Sequence, residues 1–285
     1  MPAARRTRPH ALAALGATLV ALALALATLG CASVGNGAAG SFTPRVADTL
    51  TVATAQVPDP GFWAGTVAHP TGGFEYELAK ELAARFGLAK VEVVEVPFHE
   101  LVRGHLGGAD LALSDITITD ERAQHVDFST SYLRAPPSIV VRPGTEVLDV
   151  NAARGLHWAV QHDTTLRAAL EASIEPKVAP LVFEHQREVL AALRSKRVNA
   201  IMLDLPVALA YERETPRSYH VVAQLPSEAV LGAALPQGSG NTEAVDSAIR
   251  GLQAEGAIDR LAHRWLDPGI EEGAAADVPI LRSEP

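Results

Sequence analysis

The sequence contains a single cysteine and fewer basic than acidic residues, and each shortage excludes a class of protein. One cysteine cannot form an internal disulfide, so the folded part must be stabilised by its own core. The 24 lysines and arginines oppose 33 acidic residues, a formal charge of −9, which argues against nucleic acid or an anionic lipid surface as a partner. The ten histidines have no metal-ligand spacing, so neither a metal nor a cofactor is expected. A small cationic or zwitterionic ligand remains compatible with this composition.

A long apolar stretch without charge lies at the N-terminus, over residues 11–29, and three arginines precede it. A basic segment, an apolar segment and small residues before a cleavage point describe an export signal, so we predict a signal peptide over residues 1–30. A transmembrane anchor is the alternative, because about 18 to 20 apolar residues can cross a bilayer. Both interpretations place the rest of the chain outside the cytoplasm and tethered to a membrane.

The single cysteine, Cys31, follows the apolar stretch directly. It resembles the cysteine that receives a diacylglyceryl group in bacterial lipoproteins. Lipoprotein signals usually carry leucine and then alanine or serine at the positions that Thr28 and Leu29 occupy here. The expected location is the outer face of the cell membrane, by this lipid anchor, or the periplasm.

Two segments flank the predicted folded part. Residues 31–47 are small, polar and without an apolar period, as a flexible tether would be. Residues 269–285 are rich in glycine, proline and charge, and we expect a loose tail there. The folded part therefore begins near the β-rich text "LTVATA".

Strands alternate with helices between these flanks. In "FEYELAKELAARFG", Leu78, Leu82, Ala83 and Phe86 fall on one helical face, and Gly87 is a plausible stop. The strands "VEVVEVPF" and "ADLALSD" follow, and a similar order returns in "HWAVQHDTT", "LRAALEA", "VAPLVF", "HQREVLAALRSKR" and "VNAIMLD". Strands joined by single helices cross over, so we predict an α/β fold with mostly parallel sheets in two lobes of related build.

Corresponding strands of the two series end in an aspartate, Asp115 in "ADLALSD" and Asp204 in "VNAIMLD". In open parallel sheets, ligands bind beyond the carboxyl ends of the strands. If the two lobes face one another, these two strand ends line the cleft between them.

The text "GGADLALSDITITDERAQHVDFSTSYL", together with "GGFEYELAKELAARFG", "VQHDTT" and "GLQAEGAIDRLAHRW", resembles the type II periplasmic solute-binding proteins of family 3, which supply amino acids to ABC importers. The resemblance covers about Leu50 to Leu266. It implies a type II periplasmic-binding-protein fold with a two-segment hinge. Lobe 1 would be residues 48–134 plus 230–268, and lobe 2 residues 135–229.

The resemblance also implies roles for residues of lobe 1. Arg122 matches the arginine that binds the ligand α-carboxylate, for which a planar guanidinium offers two parallel donors. Thr117 matches the hydroxyl beside that arginine. Backbone carbonyls near Ser114 and Asp115 would accept hydrogen bonds from the α-ammonium.

In lobe 2, Thr164 and Thr165 open the helix "TTLRAALEA", whose free N–H groups favour an anion and would hold the same carboxylate. Asp204 matches the acid that pairs with the α-ammonium. Phe62 or Trp63, and Phe98, would cover the apolar surface of the ligand.

Other interpretations of these residues stay open. Arg122 would be a surface residue if it paired with Asp120 or Glu121, Asp204 would be a strand-end acid held by backbone donors, and Phe98 would be a core residue. Thr119 is expected as an N-cap without ligand contact, and Asp163 as the N-cap of the helix that follows it.

Asp115 and Asp163 stand where the family usually has a small residue and a glycine. Carboxylates close to a bound α-carboxylate would repel it unless a positive charge intervenes. We therefore hypothesise a ligand with an additional cationic group, a basic amino acid or a related amine, with Asp115, Asp163 and Asp204 converging on one cleft.

The expected function is that of a monomeric solute-binding protein that delivers an amino acid or amine to an ABC permease. One alternative is a free-standing sensory lipoprotein. Another is an enzyme similar to the cyclohexadienyl or arogenate dehydratases, which carry a catalytic acid where this chain has Val207. Because valine cannot act as an acid, we expect no catalytic residue.

Overall fold

The computed structural model describes residues 41–266, 270–271, 274–275 and 277–281. The predicted signal peptide over residues 1–30 and the predicted lipid attachment residue Cys31 lie outside the described residues. In those ranges, no helix combines the length and the apolar character that crossing a membrane requires.

The secondary structure alternates as the sequence predicts, with additional strands between the two series. The strands are β1 (Thr49–Thr54), β2 (Ala64–Thr66), β3 (His69–Gly72), β4 (Lys90–Glu95), β5 (Leu111–Ala112), β6 (Val126–Arg134), β7 (Pro137–Val141), β8 (Trp158–Gln161), β9 (Leu181–Phe183), β10 (Ala200–Asp204), β11 (His220–Gln224), β12 (Val230–Pro236), β13 (Ile270–Glu271) and β14 (Ala274–Ala275). The helices are α1 (Phe74–Arg85), α2 (Phe98–Leu101), α3 (Val150–Arg154), α4 (Thr165–Ser173), α5 (Gln186–Arg194), α6 (Leu205–Glu214), α7 (Thr242–Ala254) and α8 (Ala257–Trp265). A short 3-10 turn covers Arg122–Gln124.

Two five-stranded sheets form the centres of two lobes, and the predicted α/β two-lobe fold is confirmed. The sheet of lobe 1 has the order β4-β1-β5-β12-β6, and the sheet of lobe 2 has the order β11-β7-β10-β8-β9. The expectation of mostly parallel sheets needs correction, because β12 pairs antiparallel with β5 and β6, and β7 pairs antiparallel with β10 and β11. The strands β7 and β12 follow the passages between the lobes. A parallel pair needs a helix that returns the chain to the starting end of the same sheet, and no helix does so at these passages.

The chain passes between the two sheets through residues 135–136 and 225–229. The two passages are neighbours: the amide N–H of Ala135 donates to the carbonyl of Ala229 over 2.9 Å, and that of Leu225 to the carbonyl of Pro137 over 2.8 Å. Two short, hydrogen-bonded segments are a suitable place for one lobe to rotate against the other.

Helix α1 places Leu78, Leu82 and Ala83 in the core of lobe 1, on the predicted face. It ends at the predicted stop, because Gly87 has φ +71°, in the left-handed region that glycine adopts without strain. Phe86, on the same face, is partly buried against the core.

The predicted flexible tether over residues 31–47 is wrong for its described end. The ring of Phe42 stacks on the ring of Phe86 with centroids 4.2 Å apart, and the amide N–H of Thr43 donates to the Asn241 side chain over 2.8 Å. An aromatic stack and a side-chain hydrogen bond hold this segment on lobe 1.

The predicted loose tail over residues 269–285 also needs correction. The amide N–H of Gln224 donates to the carbonyl of Pro279, and the amide N–H of Leu281 donates back to the carbonyl of Gln224, both over 2.9 Å. Residues 277–281 therefore run beside strand β11 of lobe 2, although α8 belongs to lobe 1.

Candidate functional site

The two lobes meet around a cavity of about 40 Å³ beyond the carboxyl ends of β1, β5 and β10. It is lined by Ala55, Gln56, Asp59, Phe98, Ser114, Asp115, Thr117, Gln161, Thr164, Thr165, Leu166, His185, Gln186, Met202, Leu203 and Asp204. We call this space the inner cavity. Since one water needs about 10–15 Å³ by this measure, this space is too small for anything larger than a few waters.

A tight turn after β5 presents Ser114 and Asp115 to the inner cavity. Asp115 has φ +53°, a conformation that aspartate tolerates better than most residues. Its amide N–H donates to Oε1 of the buried Glu75 over 2.8 Å, and Ser114 Oγ accepts from the amide of Ala55 over 2.8 Å. The turn is thereby fixed from α1 and from the loop after β1.

Asp115 of lobe 1 and Asp204 of lobe 2 line the same inner cavity, close enough for the charge of one to affect the other. Asp204 is 6% exposed and ends β10 at the start of α6. Within the described ranges, Oδ1 of each acid is buried and accepts from no N–H or hydroxyl donor. Burial raises the pKa of Asp204 to about 7, and burial together with the charge of Asp204 raises the pKa of Asp115 well above its usual value.

A third acid of the inner cavity, Asp59, was missed by the sequence analysis. Its Oδ1 accepts hydrogen bonds from Gln56 Nε2 at 3.0 Å, Tyr211 OH at 3.1 Å and Gln186 Nε2 at 3.2 Å. These partners are neutral, and burial raises the pKa of Asp59 to about 7. The sequence did contain a signal for Asp59, because it lies in the loop after β1, at the same sheet edge as Asp115.

These acids do not form a metal site. Among the residues that the structure describes, no three histidine, cysteine, aspartate or glutamate side chains are arranged to hold a metal ion.

Arg122 lies at the boundary between the inner cavity and solvent and is 7% exposed. Its Nη1 donates to the carbonyl of Thr117 over 2.8 Å, and its Nη2 crosses to lobe 2 and donates to the carbonyl of Asp163 over 2.9 Å. The guanidinium also lies over the ring of Phe98, 5.3 Å from its centroid. Burial lowers the pKa of Arg122, whereas the nearby carboxylates of Asp204 and Asp115 act against this shift.

The predicted threonines meet across the cleft. The hydroxyl oxygens of Thr117 and Thr165 lie 3.5 Å apart, and Thr164 Oγ1 donates to the carbonyl of Gln161 over 2.9 Å. Thr165 is the first residue of α4, so the free N–H groups of that helix point toward the same boundary.

Of the predicted aromatic residues, Phe98 lines the inner cavity and Phe62 and Trp63 do not. Phe62 is 0% exposed and packs edge-on against Phe74, and Trp63 is 1% exposed and donates from Nε1 to Glu75 over 2.8 Å. Both belong to the core of lobe 1, which corrects their assignment to the ligand.

A wider, more open groove of about 470 Å³ lies on the solvent side of Arg122. Thr164 and Thr165 line both spaces. The carboxylate of Asp163 faces this outer groove, where Oδ2 accepts from Arg103 over 2.7 Å. The prediction that Asp163 caps α4 is wrong, because Thr164 holds the N-cap position and the Asp163 side chain is drawn to Arg103.

The orientation of Asp163 also corrects the hypothesis of three converging acids, since only Asp115 and Asp204 of the three line the inner cavity. Glu121, and not Thr119 as predicted, holds the N-cap position of the short 3-10 turn. The Thr119 hydroxyl nevertheless accepts the amide N–H of Arg122 over 3.2 Å.

Comparison with known proteins gives a family match and relatives. The family model of the bacterial extracellular solute-binding proteins, family 3, matches residues 50–268. The ABC transporter glutamine-binding protein GlnH of Bacillus subtilis (strain 168) is 25% identical over 200 residues, covering 68% of this chain and 72% of that protein. The arginine-binding extracellular protein ArtP of the same strain is 25% identical over 199 residues, covering 68% and 77%.

A similar solved structure is that of an ancestral arginine-binding protein bound to glutamine. It has a TM-score of 0.68 and 28% sequence identity, and the match covers 77% of this chain and 98% of that chain. The similarity therefore extends to both lobes of the described fold.

Proposed function

The chain belongs to the bacterial extracellular solute-binding proteins of family 3, and from this we propose that it binds an amino acid between its lobes as the solute-binding component of an ABC importer. The observation that carries the proposal is the meeting of Thr117 and Arg122 of lobe 1 with Thr165 and Asp204 of lobe 2 at one cleft. Donors for a carboxylate stand on one side of this meeting point and acids for an ammonium on the other.

Opening of the lobes prepares Arg122 for the ligand. Its Nη2 donates to the carbonyl of Asp163, which moves away with lobe 2 when the cleft opens. The ligand carboxylate then replaces that carbonyl, and the N–H groups at the start of α4 reach it when the lobes close again. The ligand favours the closed state because only there does it contact both lobes.

The ligand class we propose is a basic amino acid or a related amine. Asp59, Asp115 and Asp204 line the inner cavity, and Arg122 stands at its boundary. A buried charge without an opposite charge is costly, so a ligand with more than one cationic group compensates this excess of acids best.

A thermal-shift screen of the purified protein against amino acids, amines and opines tests both the proposed binding function and the proposed ligand class. A ligand at a hundred times its dissociation constant adds about 2.7 kcal/mol to the free energy of unfolding. We expect L-arginine, L-lysine or L-ornithine among the strongest, with calorimetry giving their dissociation constants. Tight binding of glutamate with none of the basic amino acids would contradict the ligand class, and no stabilisation by any solute would contradict the function.

The related proteins described above are binding proteins, and the position of the dehydratase acid supports the same interpretation here. Val207 is 1% exposed and packs in the core from α6. A buried valine offers no proton to a leaving group, so this position lacks the acid that the dehydratases use. The sensory alternative has no observation in its favour.

We further propose where the protein works, how it is anchored and which residues form each lobe. The protein works outside the cytoplasm, as its family does, as a monomer anchored through Cys31 and delivering its ligand to an ABC permease. Lobe 1 comprises residues 48–134 plus 230–268, lobe 2 residues 135–229, and the two passages between the sheets act as the hinge. Radiolabelled fatty-acid incorporation that is lost in Cys31→Ser would support the anchor, and unchanged incorporation would contradict it.

A further inference from the structure

One buried acid of lobe 1, Glu75, does not line the inner cavity and yet is bonded to the backbone of the ligand site. It is 0% exposed and belongs to the first turn of α1. Its Oε1 accepts from the amide N–H of Asp115 over 2.8 Å and from the Tyr132 hydroxyl over 2.6 Å, and its Oε2 accepts from Trp63 Nε1 over 2.8 Å. One carboxyl group therefore joins the turn after β5, strand β6 and the loop after β1.

The start of α1 is packed closely on that loop, which gives Glu75 a defined position. The amide N–H of Glu75 donates to the carbonyl of Phe62 over 3.2 Å. This close approach needs a glycine before the helix: Gly73 has φ +115°, and a Cβ there would lie 2.2 Å from the carbonyl oxygen of Phe62. The sequence "GGFE" thus brings the carboxyl group of Glu75 within reach of the loop.

Of the three bonds to Glu75, the one from Asp115 is the bond that the backbone requires. Asp115 has φ +53°, and its amide N–H is directed to Glu75. An N–H group in a protein interior needs an acceptor, and substituting the side chain of Asp115 would not remove it. The donors of Trp63 and Tyr132, in contrast, would be lost with phenylalanine at either position. An apolar core could therefore do without two of these bonds, but not without the bond to the turn.

Glu75 is also a costly residue for the core of lobe 1. Among the residues that the structure describes, the hydrogen-bond partners of its carboxyl group are all neutral. Burial raises the pKa of Glu75, and the bonds from Tyr132, Asp115 and Trp63 act against this rise. Buried charges are often replaced by apolar residues of similar size without loss of stability. The choice of glutamate here therefore points to the ligand site and not to the stability of the core.

We propose that Glu75 is a positioning residue of the ligand site: through its bond to the Asp115 amide, it keeps the turn of Ser114 and Asp115 in the geometry that binds the ligand. Tyr132 bonds to the same oxygen from β6, the strand that leads into the passage at residues 135–136. The turn is thereby held in a fixed place relative to the hinge. This inference rests on the proposed function, since it concerns how tightly the same ligand is bound.

Calorimetry on the purified protein tests this role. The probe is L-arginine or, if it gives no thermal shift, whichever standard L-amino acid gives the largest shift. Glu75→Leu keeps the size of the side chain and removes both acceptor oxygens, so the dissociation constant should rise by about tenfold or more. The matched control is Glu77→Leu, which removes the same charge from a partly exposed pair with Lys80 on α1. It should change the dissociation constant by less than about threefold.

A rescue experiment separates the acceptor oxygen of Glu75 from its charge. Glu75→Gln keeps one acceptor oxygen for the turn, but its NH₂ group then faces the N–H of Trp63. This conflict is absent from Trp63→Phe, so adding Glu75→Gln to that variant should raise its dissociation constant by less than about threefold, and adding Glu75→Leu by about tenfold or more. Glu75→Gln alone should give an intermediate effect, and it serves if Glu75→Leu does not fold.

Hydrogen exchange gives a readout that a general loss of stability would not reproduce. The peptide that contains Ser114 and Asp115 should exchange faster in ligand-free Glu75→Leu, whereas peptides of lobe 2 should exchange as in the unsubstituted protein.

An unchanged dissociation constant in Glu75→Leu, or faster exchange spread evenly over lobe 1, would overturn the positioning role and leave the proposed function intact. An equal loss of affinity from Glu75→Gln and Glu75→Leu in the Trp63→Phe variant would overturn it as well. If no amino acid binds to the unsubstituted protein, the proposed function fails, and exchange at the turn then decides whether Glu75 holds it.

Discussion

The side chain of Arg122 lies between the inner cavity and the outer groove. The two spaces differ in whether their acids have cationic partners. In the outer groove, Asp163 pairs with Arg103 at 2.7 Å and Glu171 with Arg167 at 2.9 Å, all partly exposed. In the inner cavity, Asp59 accepts hydrogen bonds from neutral side chains, and Asp115 and Asp204 each keep a buried oxygen for which the described residues provide no donor. Exposed ion pairs are hydrated and contribute little to stability. A buried acid, in contrast, is stable only when it is protonated or when a cation binds to it. The inner cavity is therefore the place where a ligand gains most.

The largest expected effect comes from removing the side chain between the two spaces. Arg122→Ala should weaken ligand binding by about 2 to 5 kcal/mol, because a buried carboxylate loses its charged partner. This corresponds to roughly 30-fold to several thousand-fold in the dissociation constant from calorimetry. Arg167→Ala, in the outer groove, is the matched control and should change it by less than about threefold. If Arg122→Ala and Arg167→Ala changed the dissociation constant equally, the inner cavity would not be the main place of ligand binding.

The inner acids should also make the ligand-free protein less stable as pH rises. The folded-state pKa values of Asp59 and Asp204 are raised to about 7, above those of an unfolded chain. Their stabilising contribution is complete below about pH 4 and is lost as pH rises through about 7, on the order of a few kcal/mol for the two.

Thermal unfolding of the ligand-free protein between about pH 5 and 8 measures this loss. Asp204→Asn should flatten the profile and be more stable than the unsubstituted protein at the alkaline end. A profile that rises with pH, or one that Asp204→Asn leaves unchanged, would contradict the account.

Asp59 provides a sharper comparison within the inner cavity. If Asp59 contacts a cationic group of the ligand, Asp59→Asn should weaken the binding of a basic amino acid by about 1.5 to 3 kcal/mol. This raises the dissociation constant roughly tenfold to a hundredfold. Binding of neutral glutamine should change much less. An equal loss for both ligands would instead assign Asp59 to lobe closure, through its bonds to Gln186 and Tyr211 of lobe 2.

The smallest effect is expected in the outer groove. Arg103→Ala removes the ion pair with Asp163, in which the arginine side chain is 52% exposed. Such pairs are worth less than about 1 kcal/mol, so the dissociation constant should change by no more than about fivefold. Because the pair joins the lobes, ligand dissociation measured by stopped flow should become slightly faster. A large loss of affinity would place a second ligand contact in this groove.

The sequence predicted the parts of the fold that depend on local pattern. Helix α1 has a clear apolar period and a glycine stop, and both were found where expected. The strands next to the hinge were harder to predict, because β6, β7, β11 and β12 connect the lobes without helices and pair antiparallel. Neither local propensity nor spacing specifies which distant strand a segment pairs with.

The candidate site divides in a similar way. The resemblance to the solute-binding family pointed to Thr117, Arg122, Thr165 and Asp204, and the structure brings them to one cleft. The orientation of a side chain could not be predicted: Trp63 turns inward because Glu75 accepts its N–H, and Asp163 turns outward because Arg103 is near. These partners are distant in sequence and become neighbours only in the folded protein.

The two outer segments of the described chain are attached to different lobes. Residues 42–45 are held on lobe 1 by Phe86 and Asn241, and residues 277–281 lie along β11 of lobe 2. Val46 is 49% exposed and Ile280 is 50% exposed, so spectroscopic labels at these positions would leave the cleft untouched. The separation of such labels would report each opening and closing of the protein directly, whichever solute is bound.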